Sequence, residues 1–156
     1  MFKGLEKKSM HLADLMPLIH EQLDNGISVM IHPRGTSMLP MIREGVDSVV
    51  ISKLPEKLSK YDVILYQRTN GQYVLHRLIK VENTCTFIGD NQFEKEDGIE
   101  YGQLIAIVSS FYRGDKKISV GQLSYKLYCR VWYNSRGIRY LWRRLTGYIQ
   151  RKTRAK

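Results

Sequence analysis

A serine lies in a turn-forming segment between two apolar stretches. Residues 34–40 have the sequence RGTSMLP, in which Ser37 follows Gly35 and precedes Pro40. Glycine allows a sharp bend or a close backbone approach, and proline fixes the exit from the turn. Such a turn can present the Ser37 hydroxyl together with its own backbone N–H, as a nucleophile with an oxyanion hole requires. The alternative is an ordinary tight turn without chemistry.

Three further segments follow the serine turn. They are YDVILY at residues 61–66, His76-Arg77, and Gly89-Asp90-Asn91. Together with the turn, this ordered set resembles the boxes of the type I signal peptidase and LexA-type serine peptidase superfamily. The resemblance covers roughly residues 27–115. It implies a serine endopeptidase that cleaves a precursor, leader or signal-like peptide without a cofactor or a metal.

His76 is the candidate base. Within the superfamily the base is a lysine or a histidine, and His76 is similar to the histidine of the eukaryotic and archaeal signal peptidase branch. A neutral imidazole can accept the serine proton and later protonate the leaving amine. The resemblance therefore implies a Ser37–His76 dyad, with oxyanion or substrate contacts from Gly35, Thr36 and Met38.

An acidic residue should orient the imidazole and stabilise its charged form. Asp90 belongs to the Gly-Asp-Asn segment, and Asp97 lies where signal peptidases similarly have a second important acid. We expect Asp97 to orient His76 and Asp90 to support the site. Glu94 and Glu96 in the same loop are open alternatives, and so is a solvated acidic turn without a role.

Two positions depart from the superfamily pattern. The usual Gly-Asp after the serine turn is Gly45-Val46-Asp47 here, and the usual glycine before Asp62 is Tyr61. Both departures predict altered turns around an intact site. Signal peptidases of this kind also carry a transmembrane helix, whereas no apolar run here approaches the roughly 18–20 residues that span a bilayer. General secretory signal removal is therefore not the expected role.

Short apolar segments between turn signals must position these residues. An amphipathic helix is predicted over residues 9–25, with Ser9 as its N-cap, and Asn70-Gly71 is typical of a hairpin turn. Strands are predicted at residues 27–31, 48–51, 62–66, 73–81, 84–88, 104–111 and 117–120. The expected fold is α+β and mainly antiparallel β. It comprises a helical segment (1–26), a compact signal peptidase/LexA-like β domain (27–120), and a tail of basic amphipathic helices (121–156).

The tail carries the whole net charge of the chain. Residues 121–156 contain ten Lys or Arg and no acid, whereas the other 120 residues hold fifteen of each sign. Gly137 is predicted to separate two helices, and an apolar stripe follows it: Ile138, Leu141, Trp142, Leu145, Tyr148 and Ile149. The stripe could pack on the β domain, bind an anionic membrane surface or an acidic partner, or, less favoured, contribute to nucleic-acid binding.

The remaining features concern compartment and alternative roles. Cys85 and Cys129 have neither metal-ligand nor disulfide-framework spacing, which predicts reduced thiols. No secretory signal peptide is recognisable after Met1. We expect a cytoplasmic protein, either free or peripheral at the membrane surface. A non-catalytic module for binding or self-association is the alternative to a peptidase.

Overall fold

The described residues form one antiparallel sheet with three α-helices. A computed structural model of the protein describes the backbone of residues 12–154 and the side chains of residues 12–146. The helices are Leu12–Asp24 (α1), Leu123–Asn134 (α2) and Arg136–Arg154 (α3), and a short 3-10 helix covers Tyr101–Gln103. The strands are Val29–Ile31 (β1), Asp47–Ser52 (β2), Val63–Gln67 (β3), Tyr73–Val81 (β4), Cys85–Ile88 (β5), Glu96–Ile99 (β6), Leu104–Arg113 (β7) and Lys116–Ser119 (β8).

Neighbouring strands pair in the order β1-β2-β7-β3-β4-β5-β6, and β8 also pairs with β7. Every pairing between these strands is antiparallel. This architecture confirms the predicted class, a mixed α+β fold built mainly on an antiparallel sheet.

Both faces of the sheet are buried in its centre. Along β3, Val63 and Leu65 belong to one apolar cluster, and Ile64 and Tyr66 belong to another. This division follows from the period of two in a strand, which sends successive side chains to opposite faces. Side chains of α1 and α2 complete the first cluster, among them Met16, Ile19, Leu23, Tyr125 and Cys129.

The hairpin predicted at Asn70-Gly71 is confirmed. Strands β3 and β4 pair antiparallel on either side of it, and Gly71 has a φ of 84°. The register places His76 directly opposite Ile64. The hairpin thus fixes the position of His76 in the middle of the sheet.

Tyr61 occupies the turn that precedes β3. Its φ of 82° lies in the left-handed region that favours glycine. The Tyr61 N–H donates to the Leu78 carbonyl at 2.7 Å, and the Leu78 N–H donates to the Asp62 carbonyl at 2.7 Å. This turn therefore has the backbone conformation expected of glycine, although a tyrosine stands there.

Two local predictions are wrong. Residues 96–98 of the acidic loop predicted at residues 94–98 belong to β6 at the edge of the sheet, because β6 pairs with β5. The break between the tail helices is at Ser135, and Gly137 lies inside α3. The predicted N-cap Ser9 and the rest of residues 1–11 lie outside the described residues, as do the side chains of Tyr148 and Ile149.

Candidate active site

The serine turn connects β1 and β2. Ser37 is half-buried in it, Gly35 and Thr36 are exposed, and Met38 is buried in the core. Gly35 has a φ of 90°, a value that glycine adopts readily. The Leu39 N–H donates to the Thr36 carbonyl at 3.2 Å, which tightens the turn around Ser37. Met38 therefore anchors the turn, and it also contributes to the wall of the cleft that contains Ser37.

The Gly89-Asp90-Asn91 segment packs directly against this turn. The Asn91 N–H donates to the Ser37 carbonyl at 2.8 Å, and Asn91 Nδ2 donates to the Thr36 carbonyl at 3.2 Å. A Cβ at position 89 would lie 2.7 Å from the Ser37 carbonyl oxygen, closer than real Cβ atoms approach. Glycine is therefore required at position 89, since the two backbone segments touch there.

A buried ion pair holds the Gly-Asp-Asn segment to β4. Arg77 Nε and Nη2 donate to the two Asp90 carboxylate oxygens, both at 2.7 Å. Arg77 Nη1 also donates to the Tyr61 carbonyl at 2.9 Å and to Cys129 Sγ on α2 at 3.0 Å. Burial opposes the charge of Arg77, but the hydrogen bonds and charge of Asp90 hold the pKa of Arg77 well above its usual value. Through Arg77, Asp90 joins the Gly-Asp-Asn segment to β4 and to α2.

His76 begins a chain of polar contacts on the opposite face of β4. Its side chain is almost fully buried, and Nδ1 lies 3.1 Å from Tyr66 Oη. Tyr66 Oη donates to Glu96 Oε2 at 2.9 Å. Arg68 closes the chain, because its Nε and Nη2 donate to the two Glu96 oxygens at 2.7 and 2.6 Å.

These hydrogen bonds assign the tautomer of the His76 imidazole. A phenol has a single hydrogen, and that of Tyr66 is given to Glu96. The Tyr66 oxygen must then accept the hydrogen carried by His76 Nδ1. In a neutral imidazole the other nitrogen, Nε2, keeps a free lone pair, which is the state of a general base.

The electrostatic environment keeps this imidazole neutral. Burial lowers the pKa of His76 from its ordinary value of 6.5 to about 4, against a smaller opposing effect of the Glu96 charge. The hydrogen bonds from Arg68 hold the pKa of Glu96 below its usual range. Burial and the neighbouring Glu96 raise the pKa of Tyr66. At neutral pH this hydrogen-bonded network therefore contains a neutral imidazole (His76), a neutral phenol (Tyr66) and an ionised carboxylate (Glu96).

The acid beside His76 differs from the one predicted. Glu96 Oε2 lies 3.8 Å from His76 Nδ1, whereas the Asp97 carboxylate accepts a hydrogen bond from Thr86 Oγ1 at 2.6 Å. Glu96 and Asp97 are consecutive on β6, so their side chains leave the strand in opposite directions. The orienting role predicted for Asp97 is therefore better suited to Glu96. Glu94 is exposed and lines a neighbouring cleft.

Ser37 and His76 line one cleft of about 490 Å³. Gln72 and residues 73–75 at the start of β4 form part of its wall, together with Arg68, Asn91, Gln92 and Arg143. A second cleft of about 830 Å³ shares those four side chains and extends along residues 92–96 and the beginning of α3. The two clefts therefore adjoin.

Helices α2 and α3 contact the candidate site at the backbone of Asp90. Trp132 Nε1 donates to the Asp90 carbonyl at 2.9 Å, and Arg139 Nη1 donates to the same oxygen at 3.4 Å. The tail is thus partly a structural component of the candidate site. Tyr66, Arg68 and Trp132 were not among the site residues predicted from the sequence. Tyr66 lies inside one of the recognised segments, which was the only signal for it.

Comparison of the chain with protein-family models, curated proteins and solved structures finds no match. Among the described residues, no group of three or more His, Cys, Asp or Glu side chains could hold a metal ion. No helix in residues 12–154 combines the length and the apolar character needed to cross a bilayer.

Proposed function

We propose that the protein is a serine endopeptidase, similar in its site to signal peptidases and LexA-type peptidases. The observation that carries this proposal is that Ser37 and a buried neutral His76 line the same cleft. Three of the recognised segments are joined there, since the Gly-Asp-Asn segment touches the serine turn and is paired to Arg77 beside His76.

In the proposed reaction His76 Nε2 takes the proton of the Ser37 hydroxyl as its oxygen attacks the carbonyl carbon of the peptide bond. The Ser37 backbone N–H is the candidate donor to the developing oxyanion. His76 then gives its proton to the leaving amine, and an acyl-enzyme remains on Ser37. Water, deprotonated by His76, hydrolyses the ester and releases the second product.

The hydrogen-bonded residues Tyr66, Glu96 and Arg68 take the two roles of the acid in a catalytic triad, which are to orient the imidazole and to stabilise its positive charge. The Tyr66 oxygen accepts from Nδ1 and fixes the ring. Glu96, 3.8 Å from that nitrogen, favours the positive charge that the imidazole acquires during the reaction. Arg68 keeps Glu96 ionised and in position.

The substrate is proposed to bind as an extended peptide beside the start of β4. Strand β5 pairs with residues 77–81 of β4, so within the described residues this edge of β4 is open over residues 73–75. These residues line the cleft with Ser37. An added peptide strand would find backbone hydrogen-bonding groups there, and the cleft would select its side chains.

Cleavage of a diverse peptide library, read by mass spectrometry, tests the proposal. Products that form with the wild type and are lost with Ser37→Ala are expected. The matched control is Ser124→Ala, which removes an exposed hydroxyl on α2 and should leave the products unchanged. Equal products from wild type and Ser37→Ala would refute the role of Ser37. An absence of products from the wild type would favour a non-catalytic binding module.

A further inference from the structure

Helix α3 exposes the described part of its apolar stripe, Ile138, Leu141, Trp142 and Leu145, to solvent. The exposed fractions are 76% for Ile138, 59% for Leu141, 69% for Trp142 and 52% for Leu145. Their spacing of three and four residues places all four on one face of the helix. A large exposed apolar patch of this kind marks an interaction surface.

The opposite face of α3 packs on the rest of the protein. Tyr140 lies edge-on to Phe93, with ring centroids 5.1 Å apart. The Arg143 guanidinium lies over the Phe93 ring at 5.7 Å, and that of Arg139 lies over the Trp132 ring at 3.6 Å. A surface helix usually turns its apolar face to the core. Here Arg139, Tyr140 and Arg143 make the intramolecular contacts of α3 described above. The apolar stripe is therefore not needed to hold α3 against the rest of the protein.

The charge of the tail indicates which kind of partner the apolar stripe would bind. Residues 121–156 contain ten basic residues and no acid, so the stripe belongs to a strongly cationic segment. Apposing two copies of this segment would bring like charges together. Anionic phospholipid headgroups offer the opposite charge, and the acyl layer beneath them accepts apolar side chains and the tryptophan ring.

We infer that α3 docks with its Ile138–Leu141–Trp142–Leu145 face on the surface of a bilayer that contains anionic phospholipids. Exposed apolar residues of α2, Leu127 and Val131, add to the apolar surface of the tail. Arg143 on the inner side of α3 lines the cleft that contains Ser37. Docking would therefore hold that cleft close to the lipid surface, but the inference does not depend on catalysis.

Vesicle flotation with the full-length protein tests this inference. The vesicles are phosphatidylcholine alone or phosphatidylcholine with about 30% phosphatidylglycerol, which supplies the anionic surface. We expect binding to the anionic vesicles, with a blue shift of tryptophan emission, and little binding to the neutral ones. Added salt should weaken the binding, because it screens the headgroup charge.

The critical variant is Leu141→Ser combined with Trp142→Ser. Both side chains are exposed, so the fold should be kept, and the partition coefficient should fall by at least about tenfold. Leu18→Ser combined with Ile27→Ser is the matched control, because these residues are 55% and 51% exposed outside the tail. The control should bind as the wild type does.

Three outcomes would overturn the inference. The first is equal vesicle binding by the wild type and the stripe variant. The second is no binding of the wild type to anionic vesicles, which would favour an acidic protein partner. The third is a wild-type dimer in size-exclusion chromatography that the stripe variant loses, without vesicle binding, which would assign the stripe to a second copy of the chain.

Discussion

The buried ion pair between Arg77 and Asp90 predicts that removing the Asp90 charge will lower the free energy of unfolding. The two side chains are 1% and 2% exposed, and two hydrogen bonds of 2.7 Å join them. Asp90→Asn keeps the size of the side chain and removes its charge. The Arg77 guanidinium then stays buried beside the Tyr61 carbonyl and the Cys129 sulfur, without a carboxylate.

Removing one partner of a buried pair is costly because the other charge remains out of water. The expected loss in the free energy of unfolding is about 3–5 kcal/mol. A domain of this size has a total stability of about 5–15 kcal/mol, so the variant should lose a large share of it. Arg77→Met combined with Asp90→Asn leaves no buried charge and should be less destabilised than Asp90→Asn alone.

Urea denaturation at neutral pH, followed by circular dichroism, measures these differences. Glu82→Gln is the control, because the Lys80–Glu82 pair is 61% and 64% exposed and should contribute nothing measurable. A loss below about 1 kcal/mol for Asp90→Asn would refute this prediction. A double variant as unstable as the single one would refute it equally.

Two further predictions concern His76 and its acid. The unfolded chain protonates His76 below its ordinary pKa of 6.5, whereas the folded protein does so only near a pKa of about 4. The free energy of unfolding should therefore fall by about 3 kcal/mol as the pH drops from 6.5 to 4. The variant His76→Gln should lack this part of the pH dependence. The control His20→Gln, at an exposed histidine, should keep it. In peptide cleavage, Glu96→Gln should lower kcat/KM by at least about tenfold and move the acidic limb of its pH profile to lower pH, because Glu96 raises the pKa of His76. Asp97→Asn should leave both unchanged, and the opposite ranking of these two variants would return the orienting role to Asp97.

Much of the fold could be predicted because its signals are local. The Asn70-Gly71 hairpin, the strand at residues 73–81 and the serine turn all follow from turn chemistry and from the alternation of side chains along a strand. They also pointed to Ser37, whereas His76 and the Gly89-Asp90-Asn91 segment were predicted from the resemblance to signal peptidases and LexA-type peptidases. The structure places Ser37 and His76 on one cleft and the Gly-Asp-Asn segment against the serine turn.

The acid beside His76 could not be predicted in the same way. Glu96 and Asp97 are adjacent in the sequence and equivalent in chemistry. Only the pairing of β6 with β5 determines which one faces Tyr66, 30 residues earlier. A shift of one residue in that pairing would exchange the two carboxylates.

The sequence alone determined that the tail is cationic and amphipathic, because both properties follow from residue type and helical spacing. The direction of the apolar face was decided only by the tertiary structure. Contacts of arginine and tyrosine side chains with Phe93 and Trp132 turn the described stripe residues of α3 toward solvent. Helical periodicity predicts that two faces exist, whereas long-range contacts decide which of them is covered.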